Sequence, residues 1–166
     1  MKLPKIAAAA ALLFSLVASP VQAQAQQSCA AHYLIAVPGG GNTAEGIPDY
    51  VPHGGNVFMT GMLTRLGTGG EIQPLWVSYT STPFATSEYE KSKAGGLKRA
   101  RSTVKRLANA CPSAKFSFTG YSLGADIAAT ITSDIAAGRG PIEPERVSGV
   151  ALFANPHQGG NGAVLS

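Results

Sequence analysis

The chain is poor in charge. Only 13% of its 166 residues are Asp, Glu, Lys or Arg, while 45% are hydrophobic. That balance excludes a solvated, disordered polymer and points to a packed core. The formal net charge is +4, with 13 bases against 9 acids. Residues 1–23 hold two of the bases, Lys2 and Lys5, so the remainder carries 11 − 9 = +2. A nearly neutral surface leaves no electrostatic footprint for nucleic acid. Cysteine is scarce, at two residues, which excludes a disulfide-dense scaffold. No cluster of His, Cys or Asp has ligand spacing, so neither a metal nor any other cofactor is expected. Long apolar runs are missing after residue 23, so no transmembrane segment is expected in the mature chain.

What precedes residue 24 reads as a secretory signal peptide. Lys2 and Lys5 form a basic start, Ile6 to Val17 is apolar, and Val21-Gln22-Ala23 or Ala23-Gln24-Ala25 offers small residues for cleavage. Residues 24–166 then form one domain, large enough for a real core, in a chain that is secreted to the cell envelope or beyond. In such an oxidising compartment an even pair of cysteines, Cys29 and Cys111, suggests one disulfide; two separate buried thiols are the alternative. A bond closing so long a loop would contribute roughly 2–4 kcal/mol.

The apolar pattern gives the elements in order. His32 to Val37 reads as a strand buried on both faces. Asn56 caps a helical stripe of Phe58, Met62 and Leu66 that ends at Gly67 to Gly70. Leu75 to Tyr79 is a second strand. Glu88 to Asn109 is the longest helix, weakened at Gly95-Gly96. A strand over Phe116 and Phe118 follows, then a helix to Ala137 with Gly138 as its C-cap. Val147 to Ala154 is the last strand. Strands separated by helix-length connections imply an α/β fold with three layers, a mainly parallel sheet between helices.

The chemistry concentrates at Gly120-Tyr121-Ser122-Leu123-Gly124, a G-x-S-x-G between a strand and a helix. That context makes a nucleophile elbow, where a strained turn lifts the serine hydroxyl above the sheet. Flanking glycines let strand and helix approach closely, and the helix N-terminus favours developing negative charge. Gly39-Gly40-Gly41-Asn42-Thr43-Ala44 also matches a dinucleotide fingerprint, but Pro48 and Pro52 argue against the helix that such a loop must open.

The segment CPSAKFSFTGYSLGA, with GRGPIEPERVSGVALFANP after it, resembles the cutinase family of serine esterases, in particular its actinobacterial branch acting on lipid esters of the cell envelope. The similarity runs over roughly residues 29–160. The P-G-G loop after the first strand, Gly61-Met62-Leu63 and Cys111-Pro112 fit it too. It implies an α/β hydrolase-type fold and hydrolysis of lipid or polyester esters through an acyl-enzyme on Ser122. It implies an oxyanion hole from the N–H groups of Leu123 and Gly40, and a disulfide between Cys29 and Cys111. Two departures stand out: Leu123 replaces the usual glutamine, and glycines occupy the loop position that often holds Ser or Thr. In the family the acid and then the histidine follow the serine further along. Only 166 − 122 = 44 residues follow Ser122 here, so a C-terminally shortened domain, weakly active by itself, is the expectation. The alternative is a non-catalytic protein of the cell envelope that keeps the fold.

Three histidines are present. His32 starts a strand and reads as structural. His53 lies in a turn-rich loop and is a candidate substrate contact. His157 follows the last strand at the carboxyl edge of the sheet, a candidate substitute base without an acid partner in sequence order. Asp126 complements the dipole of the elbow helix, Asp134 reads as a solvated helix residue, and Asp49 has no distinguishing context. Lys91, Lys93, Lys98, Arg99, Arg101, Lys105 and Arg106 make a basic helix face. It is read as solvated, with anionic lipid or envelope polymer as the alternative partner.

Overall fold

The computed structural model describes residues 29–53, 72–82 and 86–157. The signal peptide expected over residues 1–23 and the helix expected after Asn56 both lie outside these. Four strands form one parallel sheet in the order β2-β1-β3-β4. They are β1 (His32–Val37), β2 (Ile72–Trp76), β3 (Lys115–Tyr121) and β4 (Val147–Phe153). Helix α1 (Thr86–Ala110) joins β2 to β3, and α2 (Leu123–Ala136) joins β3 to β4.

Period-two alternation divides the central strands between two faces. Tyr33, Ile35 and Val37 of β1 share the core with Phe116 and Phe118 of β3. Ala100, Val104 and Leu107 of α1 and Ile127, Ile131 and Ile135 of α2 pack onto that same face. The α2 residues recur every fourth position, and α1 shows the matching stripe at positions 100, 104, 107 and 108.

Two boundaries differ from the sequence reading. Strand β2 runs over Ile72–Trp76 rather than Leu75 to Tyr79. Val77 and Tyr79 are as buried as strand residues, which hid the real end. Pro74 is tolerated because β2 is an edge strand paired only with β1. Helix α1 passes unbroken through Gly95-Gly96. Gly96 is a packing notch there: a Cβ on it would fall 2.5 Å from Ile127 Cδ1 and 3.1 Å from the Tyr79 ring. Tight helix–helix contact thus offsets the poor helix propensity of glycine. Helix α2 ends one residue earlier than expected, with Ala137 as its C-cap; Gly138 follows at φ +72° with its N–H donating to Ile135 O.

Cys29 and Cys111 are bonded, tying the chain before β1 to the loop before β3 across 82 residues. Arg146 braces the same corner. Its guanidinium donates to the carbonyls of Cys111 and Ala114 at 2.9 Å and stands 5.1 Å above the Phe116 ring.

Candidate active site

Strand β3 ends at Tyr121, and α2 begins at Leu123. Ser122 between them has φ +52° and ψ −122°. An L-residue in that region costs about 1–3 kcal/mol and persists only when its surroundings over-determine it. The surroundings here do so. A Cβ on Gly120 would lie 2.2 Å from Gly124 O, and one on Gly124 would lie 2.1 Å from Val37 O. Strand, helix and the end of β1 therefore meet where side chains have no room. The N–H of Ser122 donates to Phe153 O at 2.9 Å, which ties the turn to β4. Its carbonyl accepts from Ala125 and Asp126, starting the helix.

The loop after β1 is pressed against this turn. A Cβ on Gly39 would meet Tyr121 Cδ1 at 2.8 Å and Tyr121 O at 2.9 Å. The loop is also pinned from behind: the Tyr79 hydroxyl donates to Pro38 O at 2.5 Å, and Gly41 N–H donates to Ser81 O at 2.6 Å. Ser81 Oγ donates to Thr43 O at 2.6 Å. Burial, with a smaller contribution from Tyr89, pushes the Tyr79 phenol far above its usual range, so it stays a donor. Tyr79 and Ser81 act here as props of the loop. Sequence reasoning missed them because their partners are backbone atoms far away in the chain.

The N–H groups of Gly40 and Leu123 have no hydrogen-bond partner among the described residues. Leu123 also explains its departure from glutamine, because its side chain is buried in the core. The loop opens no helix: residues 40–42 are a turn with Asn42 N–H on Gly39 O, unlike a dinucleotide loop. A cavity of about 330 Å³ lies beside it, lined by Glu45, Gly46, Ser78, Tyr79, Gly95 and Arg99.

The histidines separate cleanly. His32 Nε2 meets Ser117 Oγ at 2.8 Å, and burial lowers its pKa. His53 is only 2% exposed, which corrects its reading as a substrate contact. Its Nε2–H donates to Pro48 O at 3.3 Å, so its Nδ1 accepts from Thr43 Oγ1 at 2.9 Å. Both nitrogens are committed to bracing the loop. Burial lowers its pKa, opposed by the Pro48 bond and Asp49.

His157 has the acid partner that chain order did not suggest. Its Nε2 lies 3.3 Å from Asp126 Oδ2. Asp126 is 3% exposed. It also accepts from the Tyr89 hydroxyl at 2.9 Å and pairs with Lys93 Nζ at 2.9 Å. Its role therefore exceeds complementing a helix dipole. The basic face of α1 is largely paired as well. Lys91 meets Glu88, Arg106 meets Asp49, and Arg101 meets Asp134, which also accepts from Arg139. Partial burial would raise the Asp134 pKa, but these two guanidiniums together hold it below the usual carboxylate value. So Asp134 is not simply solvated, and Asp49 is held by an arginine of α1.

Among the described residues no three His, Cys, Asp or Glu side chains gather as metal ligands. No described helix is long and apolar enough to cross a membrane.

A family model described as Cutinase matches residues 21–165. No curated protein matches the chain. Among solved structures, the catalytic core domain of acetyl xylan esterase from Trichoderma reesei has a TM-score of 0.58 at 18% identity, over 77% of this chain and 65% of that one. A cutinase-like protein from Cryptococcus sp. has a TM-score of 0.54 at 19% identity, over 78% of this chain and 56% of that one. A further acetyl xylan esterase has a TM-score of 0.54 at 20% identity, over 78% and 65%. The chain thus spans about 65% of the length of the acetyl xylan esterases it resembles. At such identities the likeness is one of fold.

Proposed function

The chain belongs to the cutinase family, and on that premise we propose that it is an exported serine hydrolase of carboxylic esters. The observation that carries this reading is Ser122 at φ +52°, held where side chains at Gly120 and Gly124 would collide with backbone. Strained non-glycine residues of this kind cluster at active sites.

Ser122 Oγ attacks the ester carbonyl and gives its proton to a base. The carbonyl oxygen becomes an oxyanion, held by the N–H groups of Leu123 and Gly40. Neither amide has another partner among the described residues, and one such donor is worth roughly 3 kcal/mol in the transition state. Collapse expels the alcohol, which takes the proton, and leaves an acyl group on Ser122. Water then releases the acid by the same steps. No metal or organic cofactor enters. The substrate class is lipid or polyester esters, and association with the cell envelope fits an exported chain with a disulfide.

One observation favours a second reading, a non-catalytic envelope-binding protein on the same fold. Among the described residues, the Ser122 hydroxyl has no hydrogen-bond partner, histidine included. A serine without a base is a poor nucleophile. A short-chain nitrophenyl ester separates the two. The hydrolase reading expects release of nitrophenolate that Ser122→Ala abolishes. Release at the background rate in both proteins would favour the binding protein.

A further inference from the structure

Asp126 is the only buried carboxylate among the described residues. A carboxylate serving only the helix dipole has no need of burial, which costs its hydration. Here three groups face it: the Tyr89 hydroxyl of α1 donates to it at 2.9 Å, Lys93 Nζ of α1 pairs with it at 2.9 Å, and His157 Nε2, after β4, lies 3.3 Å away. The carboxylate itself rides on α2, one helical turn beyond Ser122.

The contacts close a circuit. Ser122 O accepts the N–H of Asp126 at 3.2 Å. The Asp126 carboxylate lies 3.3 Å from His157 Nε2. Between Phe153 and His157 the chain bends, with Ala154 at φ +49° and His157 N–H donating to Asn155 Oδ1 at 3.1 Å. Phe153 O then accepts the N–H of Ser122 at 2.9 Å. Both backbone groups of the strained residue are thus held by one loop of contacts, and Tyr89 and Lys93 anchor that loop to α1. The Tyr89 ring also packs edge-on to His157, at 6.4 Å between centroids.

We propose that Asp126 is a positioning residue for Ser122, which locks the strained elbow between helix α1 and the segment following β4 through Tyr89, Lys93 and His157. This rests on the reading of Ser122 as the nucleophile. Asp126 touches no reacting atom; it fixes where the hydroxyl points.

The test uses the full chain with His157→Ala and Asp126→Asn, measuring amide hydrogen exchange and the rate of phosphonylation by a fluorophosphonate ester. His157 is an exposed side chain, so its variant keeps the core intact. Each substitution is expected to speed exchange of the Ser122 amide at least tenfold while the Ile35 amide in β1 is unchanged. Phosphonylation is expected to slow at least tenfold. Tyr89→Phe, which removes one anchor and leaves the circuit closed, is expected to change both by less than threefold. Unchanged exchange at Ser122 in both main variants would overturn the proposal. So would an increase shared equally by Ile35, since that marks a general loss of stability. A wild-type chain that is never phosphonylated would defeat the nucleophile reading alone, and the exchange measurement would still decide the positioning role.

Discussion

Gly124 and the carbonyl of Val37 occupy space that a side chain would need: a Cβ on Gly124 would lie 2.1 Å from that oxygen. The start of α2 therefore lies directly on the end of β1. The amides of Leu123 and Gly40, without a partner among the described residues, belong to the two segments brought together by that contact.

Gly124→Ala tests this contact. Alanine favours a helix over glycine by about 1 kcal/mol, so an unconstrained site would be stabilised. Here the neighbour is backbone and cannot yield cheaply. The expected result is destabilisation of about 1–3 kcal/mol, read from urea unfolding, together with loss of reactivity at Ser122. A more stable variant with unchanged reactivity would contradict the close approach.

Reduction of the Cys29–Cys111 bond is expected to lower stability by roughly 2–4 kcal/mol, because a long loop regains its freedom in the unfolded state. The folded sheet order is expected to survive, since both cysteines lie outside the strands. Thermal unfolding with and without reductant measures the difference, and a double Cys→Ser variant should match the reduced protein.

Arg146 holds the carbonyls of Cys111 and Ala114 while stacking over Phe116. Arg146→Ala is expected to cost about 2 kcal/mol from charged hydrogen bonds to backbone and the ring contact. Arg146→Lys is expected to recover less than half, because an ammonium cannot present a planar fork. Chemical denaturation of the three proteins checks the order.

Acid stability follows from His53 and His32. Both are bases whose folded pKa lies below the model-peptide value of 6.5. Between the folded and unfolded values, the unfolded chain binds more protons, so stability rises with pH through that window. It is fully present above 6.5 and is lost as pH falls toward the folded values. His53→Gln is expected to flatten part of this dependence when unfolding free energy is followed from neutral pH to about pH 5. An identical slope in the variant would remove His53 from the account.

Much of this was legible in the sequence for definite reasons. Strand β1 is a short apolar run that stops at Pro38-Gly39, β3 alternates over Phe116 and Phe118, and α2 carries isoleucines at a strict spacing of four. The elbow was legible because glycine is demanded on both sides of Ser122 by backbone contacts that its neighbours cannot relieve. Burial misled at β2, where the strand ends at Trp76 although Val77 still donates its N–H to Ala36 O and both Val77 and Tyr79 are buried like strand residues. Gly96 misled in the other direction, since its cost to the helix is offset by a ring and a methyl group from other elements. The pairing of Asp126 with His157 was hidden because chain order gives no sign of which helix turn faces which loop. Once Asp126 is placed in the first turn of α2 and His157 just beyond the carboxyl end of β4, the contact follows.

The account turns on an activated Ser122, and covalent labelling tests it most directly. The mature chain is treated with a fluorophosphonate probe, and the modified peptide is identified by mass spectrometry beside Ser122→Ala. One adduct per chain is expected, on Ser122, with none on the variant. An unlabelled wild type, or equal labelling of both proteins, would contradict the claim that this serine is a nucleophile.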